Sequence, residues 1–380
     1  MELEKLRKKF PDGKLRDHHP YYMADAIADI PACLSACLDG ENLLHIKRSL
    51  SQFKPARIFT IGCGTSFNAA QAAAYILQNE LRIPVIALDA FDFELDMPPG
   101  VNKESMVTAI SESGQSITTC LSLKKARGLG AFTVGISANP KSRLCTSAEL
   151  ALVDPFLHEI PLGKTRTYLS TALLAMLPGI LTQETDRSED FIKHLREVIT
   201  VIQENLDEWQ TNAKTITGKF NETHTRYIVT GFGAQKANAD EIRLKLMEVL
   251  GESATSFGLE EFTHGPSAAF RSDLVVIMLQ TDEQTLEKAV RIAEGVLLSE
   301  ASLIVVTDRA DAGWPEKAHL LSLAALENPG LFGLFPAAVA AQTLVYSLAL
   351  KKGLNPDVNL EDINPALGDI YAFFFPPGTH

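Results

Sequence analysis

The sequence contains few cysteines, no metal-binding pattern and little positive charge. Its five cysteines are an odd number among 380 residues, and none has the spacing of a zinc site. We expect them to be reduced thiols in a cytoplasmic protein. Lys and Arg total 35 against 47 Asp and Glu, a net charge of -12 that argues against a nucleic-acid surface and against binding to anionic membranes. We therefore predict no metal, no nucleic-acid partner and no membrane partner.

Several catalytic and targeting signatures are also missing. The patterns Gly-x-Ser-x-Gly, His-Glu-x-x-His and the Walker lysine motif do not occur, which argues against common seryl hydrolases, zinc proteases and P-loop enzymes. The charged beginning of the chain has no apolar stretch of a signal peptide. One segment, residues 331–350, is nearly free of charge and almost long enough to span a bilayer. Its Pro336, Gln342 and Tyr346 favour a buried helix instead.

A strand–turn–helix pattern occurs twice in the chain. Residues 57–70 begin as an apolar strand, pass through Gly62-Cys-Gly64 and continue as a helix, and residues 226–239 repeat this layout around Gly231-Phe-Gly233. An internal repeat at this distance predicts two similar α/β domains. Buried apolar strands that alternate with helices predict parallel sheets covered by helices on both faces.

Composition and periodicity divide the chain into five segments. We predict an N-terminal helical segment at 1–50, a first α/β domain at 51–185, a helical linker at 186–222, a second α/β domain at 223–352 and a C-terminal tail at 353–380. The predicted strands are at 57–61, 85–88, 105–110 and 132–136, then at 227–230, 274–279 and 303–306. Three consecutive phenylalanines at 373–375 predict that the tail is anchored against a core or a partner subunit.

Two hydroxyl-rich loops follow predicted strands of the first domain. The first hydroxyl loop, residues 62–66, ends in Thr65 and Ser66, and the second hydroxyl loop, residues 111–116, contains Ser111, Ser113 and Ser116. Hydroxyls and free N–H groups at a helix start suit a tetrahedral anion such as phosphate. A helix cap needs only one side chain, so an ordinary capped turn is the alternative for each loop. Phe67 stands where a dinucleotide fingerprint has its third glycine, which disfavours a sugar–pyrophosphate ligand.

Two segments of the second domain carry groups suited to proton transfer. Glu241, Lys245 and Glu248 share one face of a helix predicted at 239–250. A solvated face with one ion pair explains this pattern, and a carboxylate and ammonium facing a cleft are the alternative. His264 precedes Gly265-Pro in a stiff turn, and histidine is the acid/base residue of neutral pH. A histidine in a loop can also be merely exposed.

Together, the two hydroxyl loops and the Glu261-Phe-Thr-His264-Gly-Pro segment resemble the sugar isomerase (SIS) domain family over about residues 21–362. The most similar patterns are those of the isomerase half of glucosamine-6-phosphate synthase, of fructosamine-6-phosphate deglycases and of amino-sugar-phosphate deaminases. The resemblance implies two tandem flavodoxin-like SIS domains. It also implies that the phosphate of a hexose 6-phosphate binds to Thr65, Ser66, Ser111, Ser113 and Ser116.

The resemblance further implies catalytic residues and an assembly. The family's catalytic glutamate lies sixteen residues before its loop histidine, which selects Glu248 and His264 here, and Lys245 matches a family lysine. The family forms homodimers in which the loop histidine can serve the neighbour's site, so a homodimer with His264 acting in trans is implied. No metal and no redox cofactor is implied.

The chain departs from the family at three points. Glu112 stands where glutamine is usual, and a carboxylate beside a phosphate is unfavourable unless it points away. Asn359-Leu-Glu-Asp362 lacks the lysine with which the synthase handles the ketose carbonyl, and no glutaminase domain is recognised. The preferred function is therefore deglycation of a fructosamine 6-phosphate. An amino-sugar-phosphate deaminase or aldose–ketose isomerase is the alternative, followed by a non-catalytic sugar-phosphate sensor.

Overall fold

The computed structural model describes residues 15–51, 53–220, 224–324, 330–358 and 365–374. The chain folds into two compact units. The first unit comprises Asp29–Glu159, Arg166–Ile199 and the chain from Asp369, and the second comprises the chain up to Ala28, Ile160–Thr165 and Thr200–Gly368. The segment boundaries given above stay predictions.

Helices and strands alternate along the described chain. Up to the long helix that joins the two sheets in sequence, the elements are α1 (Tyr22–Ala28), α2 (Ile30–Cys37), α3 (Gly40–Leu50), β1 (Arg57–Gly62), α4 (Thr65–Leu81), β2 (Val85–Asp89), α5 (Ala90–Leu95), β3 (Ser105–Ile110), α6 (Ile117–Gly128), β4 (Phe132–Ser137), α7 (Arg143–Ser147), β5 (Leu150–Val153), α8 (Arg166–Ile180) and α9 (Thr185–Thr217). The later elements are β6 (Arg226–Gly231), α10 (Ala234–Leu250), β7 (Ser253–Gly258), β8 (Leu274–Gln280), α11 (Leu286–Leu297), β9 (Ser302–Thr307), β10 (His319–Ser322), α12 (Leu334–Lys351) and α13 (Pro365–Phe374).

The two units contain sheets of the same topology. Strands β1 to β5 pair in parallel in the order β2-β1-β3-β4-β5, and strands β6 to β10 pair in the order β10-β9-β8-β6-β7, which is the same order seen from the other edge. The first strand of each unit lies between the second and the third, as in flavodoxin-like folds, whose ligands bind where the strand order reverses. The predicted α/β class with two flavodoxin-like parallel sheets is confirmed.

The central strands and two apolar helices form the cores. Every residue of β3 and of β8 is buried, as continuous apolar strands of a covered parallel sheet should be. All side chains of α8 are buried in the first unit, and those of α12 are buried from Leu334 to Ala349 in the second. The membrane-length segment at 331–350 is therefore a core helix, in which the Gln342 side-chain amide donates to the Thr165 carbonyl at 3.0 Å.

The structure differs from the sequence predictions in three places. Within the predicted N-terminal helical segment, the chain is broken at Asp29 into α1 and α2, because Pro31 in the first turn of α2 cannot continue a preceding helix. Strands β5, β7 and β10 were not predicted. The tail contains α13, whose Phe373 and Phe374 are 85% and 67% exposed, so anchoring of these two rings in the chain's own core is wrong. Phe375 and Asn359–Asp362 lie outside the described residues.

Candidate functional site

The two Gly-x-Gly turns have the same backbone geometry. Gly64 and Gly233 both precede a helix at positive φ, with φ/ψ of 56°/-129° and 60°/-125°. A Cβ at Gly62 would lie 2.6 Å from the Ser66 carbonyl carbon, and a Cβ at Gly231 would lie 2.6 Å from the Gln235 carbonyl oxygen. Glycine is therefore required because the following helix begins directly against the strand end. The sequence repeat is a structural repeat.

The second hydroxyl loop orients three serine hydroxyls before α6. The Ser111 oxygen accepts a hydrogen bond from the Gly114 N–H at 3.1 Å, and the Ser113 oxygen accepts one from the Gln115 N–H at 3.2 Å. The Ser116 oxygen accepts from the Thr119 hydroxyl at 3.0 Å and does not cap α6. A serine oxygen that accepts a bond can still donate its own proton. The loop can therefore offer three hydroxyl donors to an anion.

Gly114 fixes the shape of this loop. Its φ is +63°, and a Cβ there would lie 2.3 Å from the Ser142 side chain and 2.6 Å from the Ser137 hydroxyl. Only glycine fits this position without displacing neighbouring residues. The first and second hydroxyl loops follow β1 and β3, which are paired neighbours in the sheet. All five predicted phosphate-binding residues thus lie at the strand-order reversal of the first unit.

Glu112 has partners on the segment that precedes α8. Its side-chain oxygen Oε1 lies 2.6 Å from His158 Nδ1 and accepts the Glu159 N–H at 3.2 Å. Glu159 in turn accepts the Thr167 N–H at 2.8 Å, near the start of α8. These contacts hold the Glu112 carboxylate on the 158–159 segment. A carboxylate in a phosphate loop is unfavourable unless it points away from the phosphate. The contacts with His158 and Glu159 engage the Glu112 carboxylate elsewhere.

The corresponding turn of the second unit is filled by buried amides. Gln235 occupies the position of Ser66, and its side-chain NH₂ donates to the Thr281 hydroxyl at 2.8 Å. Its oxygen accepts from the Asn238 amide at 2.7 Å, and Asn238 also donates to the Leu334 carbonyl at 2.9 Å. Gln235 and Asn238 are 3% and 0% exposed. The side chains at this turn form hydrogen bonds within the second unit, whereas the turn after β1 carries the hydroxyl residues Thr65 and Ser66.

The charged face of α10 is a buried ionic cluster. Lys245 and Glu241 are both 0% exposed, and the Lys245 ammonium lies 3.3 Å from a Glu241 oxygen. The same ammonium donates to a Glu248 oxygen at 2.5 Å, while the Glu248 side chain remains 22% exposed. The interpretation of this face as solvated is wrong. Spacing alone indicated the Glu241–Lys245 pair, but helical periodicity cannot distinguish a solvated face from a buried one.

The electrostatics of this cluster keep Lys245 charged. Burial by itself favours the neutral amine, but the Glu241 and Glu248 carboxylates outweigh it and raise the pKa of Lys245 above its ordinary value. Glu248 is therefore a partly exposed carboxylate with a buried countercharge beside it. Such a group can exchange a proton with a ligand while Lys245 and Glu241 remain fixed.

His264 lies at the end of a short 3₁₀ helix, Glu261–Thr263, in the second unit. Its side chain is 72% exposed, and Nε2 lies 3.1 Å from Glu260 Oε1, while the other carboxylate oxygen of Glu260 pairs with Lys288. Gly265, with φ of +115°, turns the chain away directly after it. His264 is therefore accessible and has a carboxylate that can orient its ring. Within the described residues, no group of three or more His, Cys, Asp and Glu side chains could hold a metal ion.

Comparison with known proteins places these loops in a family. A family model described as "SIS domain" matches residues 51–177 and 219–351. A curated relative, glutamine–fructose-6-phosphate aminotransferase (isomerizing) of Pyrobaculum aerophilum, is 28% identical over 350 residues, which cover 89% of this chain and 56% of the relative. The chain thus spans about half the length of the curated relatives it matches.

Two solved structures share the fold. The C-terminal domain of glucosamine-fructose-6-phosphate aminotransferase from Francisella tularensis superposes with a TM-score of 0.79 at 19% identity, covering 90% of this chain and 99% of that one. Glucosamine-6-phosphate deaminase from Thermotoga maritima superposes with a TM-score of 0.67 at 20% identity, covering 88% and 96%. At these identities the likeness concerns the fold.

Proposed function

The chain belongs to the SIS domain family, and from this membership we propose that it is an enzyme acting on an aminated hexose 6-phosphate. The preferred reaction is deglycation of a fructosamine 6-phosphate to glucose 6-phosphate and a free amine. The observation that carries the proposal is the pair of hydroxyl loops after the adjacent strands β1 and β3. Hydroxyls and helix-start N–H groups at a strand-order reversal suit the phosphate of a small ligand.

Phosphate binding would position the open-chain sugar for proton transfer. Binding energy from a part of the substrate that does not react can hold the reacting carbons beside a catalytic group. The phosphate would accept hydrogen bonds donated by Thr65, Ser66, Ser111, Ser113 and Ser116. Glu112, in the second hydroxyl loop, is excluded from the phosphate-binding residues because its carboxylate is negatively charged. Its bonds to His158 and Glu159 support that exclusion.

Glu248 would act as the general base and acid. It would remove a proton from C1 of the fructosamine to give an enol-type intermediate, and return a proton to C2 to give the C1 imine. Water would then hydrolyse the imine and release the amine. His264 would protonate or deprotonate the ring oxygen or the C2 hydroxyl. Lys245, fixed between two carboxylates, would hold the Glu248 carboxylate in position.

The remaining features of the proposal follow the family. The protein would act in the cytoplasm as a homodimer, and His264 would serve the neighbouring subunit's site. Its exposure and its position in a turn after the 3₁₀ helix support a role in trans. The reaction as written moves protons and adds water, so it requires no redox cofactor.

The test is a phosphosugar panel in which glucose 6-phosphate and amine release are both measured. The parent protein should convert a fructosamine 6-phosphate, and Glu248→Gln should lose at least about a hundredfold in kcat, which is the usual contribution of a general base. Glu287→Gln, an exposed carboxylate on α11, is the control and should leave kcat unchanged. Full turnover by Glu248→Gln would refute the assigned base.

A deaminase is the second candidate, because one structural neighbour is a glucosamine-6-phosphate deaminase. Proton transfer between C1 and C2 would use the same Glu248. Ammonia release from glucosamine 6-phosphate, with no product from a fructosamine 6-phosphate, would favour this candidate. Binding of both sugars without any turnover would favour a sensor.

A further inference from the structure

The second unit contains a cavity away from its strand ends. The cavity has a volume of about 470 Å³, within the range of small-molecule sites, and lies between α1, the last turns of α9 and the last turns of α12. Helix α12 begins beside Thr281, which follows the carboxyl end of β8. Its 18 residues span about 27 Å. Lys352, just after its end, donates to the His224 carbonyl before β6, so the cavity lies at the opposite, amino edge of the sheet.

The lining of this cavity suits an organic anion. Among the described residues, the lining has two ammonium groups, those of Lys214 in the last turn of α9 and Lys351 at the end of α12, and no carboxylate. The aliphatic side chains of Ala24, Ile27 and Leu350 form an apolar wall. Cations and an apolar wall together match a ligand with one anionic group and an apolar or aromatic body.

Several polar groups of the lining have no protein partner among the described residues. Ser347 is 8% exposed, and its hydroxyl makes no hydrogen bond there. Because this hydroxyl faces the cavity, it can donate its proton to a ligand that offers an acceptor there. The Lys214 and Lys351 ammonium groups are likewise without an ion-pair partner in this part of the chain. These three donors are available to one ligand.

Two carboxylates that interact with a lining residue have partners of their own. Asp357 and Asp25 both interact electrostatically with Tyr346, a lining residue whose hydroxyl lies 2.8 Å from His19 Nδ1. Asp357 accepts the Tyr22 and Met23 N–H groups at 2.7 and 2.9 Å, and Asp25 pairs with Arg16 at 2.6 Å. These bonds hold both carboxylates on α1 and its preceding segment, and neither forms an ion pair with Lys214 or Lys351 within the described residues.

We propose that this cavity is a second ligand site, separate from the two hydroxyl loops, that binds a small organic anion with an apolar body. The anionic group would contact Lys214 and Lys351, and the body would pack on Ala24 and Ile27. Because the site is at the amino edge of the second sheet, its occupation does not depend on the proposed phosphosugar activity.

The experiment uses two matched fluorescent probes on the full chain. The first is 1-anilinonaphthalene-8-sulfonate, an aromatic anion, and the second is N-phenyl-1-naphthylamine, which lacks the sulfonate. The variant Lys214→Ala/Lys351→Ala should weaken anion binding about tenfold, equivalent to about 1.4 kcal/mol, and leave binding of the neutral probe unchanged. Lys219→Ala, an exposed lysine outside the lining, is the control and should change neither.

Two further variants locate the bound probe. Ala24→Leu places a larger side chain in the cavity while keeping a good helix former in α1, and it should weaken binding of both probes. Phe373→Ser/Phe374→Ser removes the exposed aromatics of α13 and should leave both affinities unchanged. Equal anion affinity in the double lysine variant, or loss of binding in the double phenylalanine variant, would overturn the proposal.

Discussion

The glycine turn after β1 and the glycine turn after β6 share a backbone but carry different side chains. In the first unit, Thr65 and Ser66 follow the glycines and the three serines of the neighbouring loop lie at the next strand. In the second unit, Ala234 and Gln235 follow, and Gln235 is bonded to Thr281 and Asn238. The first repeat has hydroxyl groups that can bind a ligand, whereas the polar side chains of the second repeat form hydrogen bonds with one another and with Thr281.

The helices that follow the two turns also differ. Helix α4 after the first turn buries a row of small apolar residues, whereas α10 after the second buries Glu241 and Lys245. Burial of charge costs free energy unless each charge is paired. The second repeat thus lacks open hydroxyls at its turn but contains an ionic cluster that ends in a partly exposed carboxylate. We propose phosphate binding for the first repeat and proton transfer for the second on the basis of this difference.

The largest effect should come from Lys245→Met, which removes the cation at the centre of the cluster. The fully buried Glu241 carboxylate would then lose the ammonium that lies 3.3 Å away, so we expect a loss of about 3–5 kcal/mol in the free energy of unfolding. Urea denaturation at pH 7 measures it. Lys236→Met, which breaks the more exposed pair with Asp240 on the same helix, should cost less than about 1 kcal/mol.

The pH dependence gives a further check on this pair of variants. The folded-state pKa of Lys245 is raised, so its contribution is fully present below the unfolded pKa of about 10.4 and is lost as the pH rises through the folded value. The stability difference between the parent and Lys245→Met should therefore not fall between pH 7 and pH 9. A difference that already falls within this range would contradict the charged cluster.

The next effect should come from Gln235→Ala in the second turn. The substitution leaves the buried Thr281 and Asn238 each without one hydrogen bond, which should cost about 1–3 kcal/mol of stability. The apparent affinity for a phosphosugar should stay unchanged where the protein remains folded. Gln203→Ala, at an exposed glutamine of α9, is the matched control. A Gln235→Ala variant of parental stability but weakened phosphosugar binding would contradict this comparison, because it would assign ligand binding to the second turn.

Ser66→Ala, at the equivalent position of the first turn, should have the opposite profile. Loss of one hydrogen bond to a charged phosphate should raise the Kd for a hexose 6-phosphate about tenfold, while the free energy of unfolding changes by less than about 0.5 kcal/mol. Isothermal titration with a hexose 6-phosphate and urea denaturation measure the two quantities. Ser49→Ala, whose hydroxyl donates to the His45 carbonyl at 2.9 Å, should leave binding unaltered.

The smallest effect should come from Glu112→Gln. The amide oxygen can still accept the Glu159 N–H, and the lost pair is with an exposed His158, 68% of whose side chain is accessible. We expect KM to change by less than about threefold, because exposed ion pairs contribute about 0–1 kcal/mol. A gain of tenfold or more in phosphosugar affinity would mean that the carboxylate repels the phosphate despite its contacts.

The sequence predicted the central strands because they are continuous apolar runs. The missed strands β5, β7 and β10 are all edge strands. An edge strand is covered less and needs no continuous apolar run, and β7, Ser253–Gly258, is largely polar. The boundary at Asp29 was missed because Pro31 is compatible with the first turn of a helix as well as with its interruption.

Within the candidate site, the backbone of the hydroxyl loops was predictable and the partners were not. A Gly-x-Gly turn between a strand and a helix limits the possible geometry, so Thr65 and Ser66 lie where the pattern indicated. The bonds from Glu112 to His158 and Glu159 join segments more than 40 residues apart, and no local pattern encodes them. Burial of Lys245 likewise depends on which elements pack against α10, and the helical periodicity of the sequence does not encode that packing.

The most direct test of the proposed division between the two repeats is a crystal structure of the protein with a bound hexose 6-phosphate. The account predicts one phosphate per chain, accepting hydrogen bonds from Ser66 and from serines of the second hydroxyl loop, with no phosphate at the Gly231–Gly233 turn. A phosphate bound at the second turn, with the two hydroxyl loops empty, would contradict it.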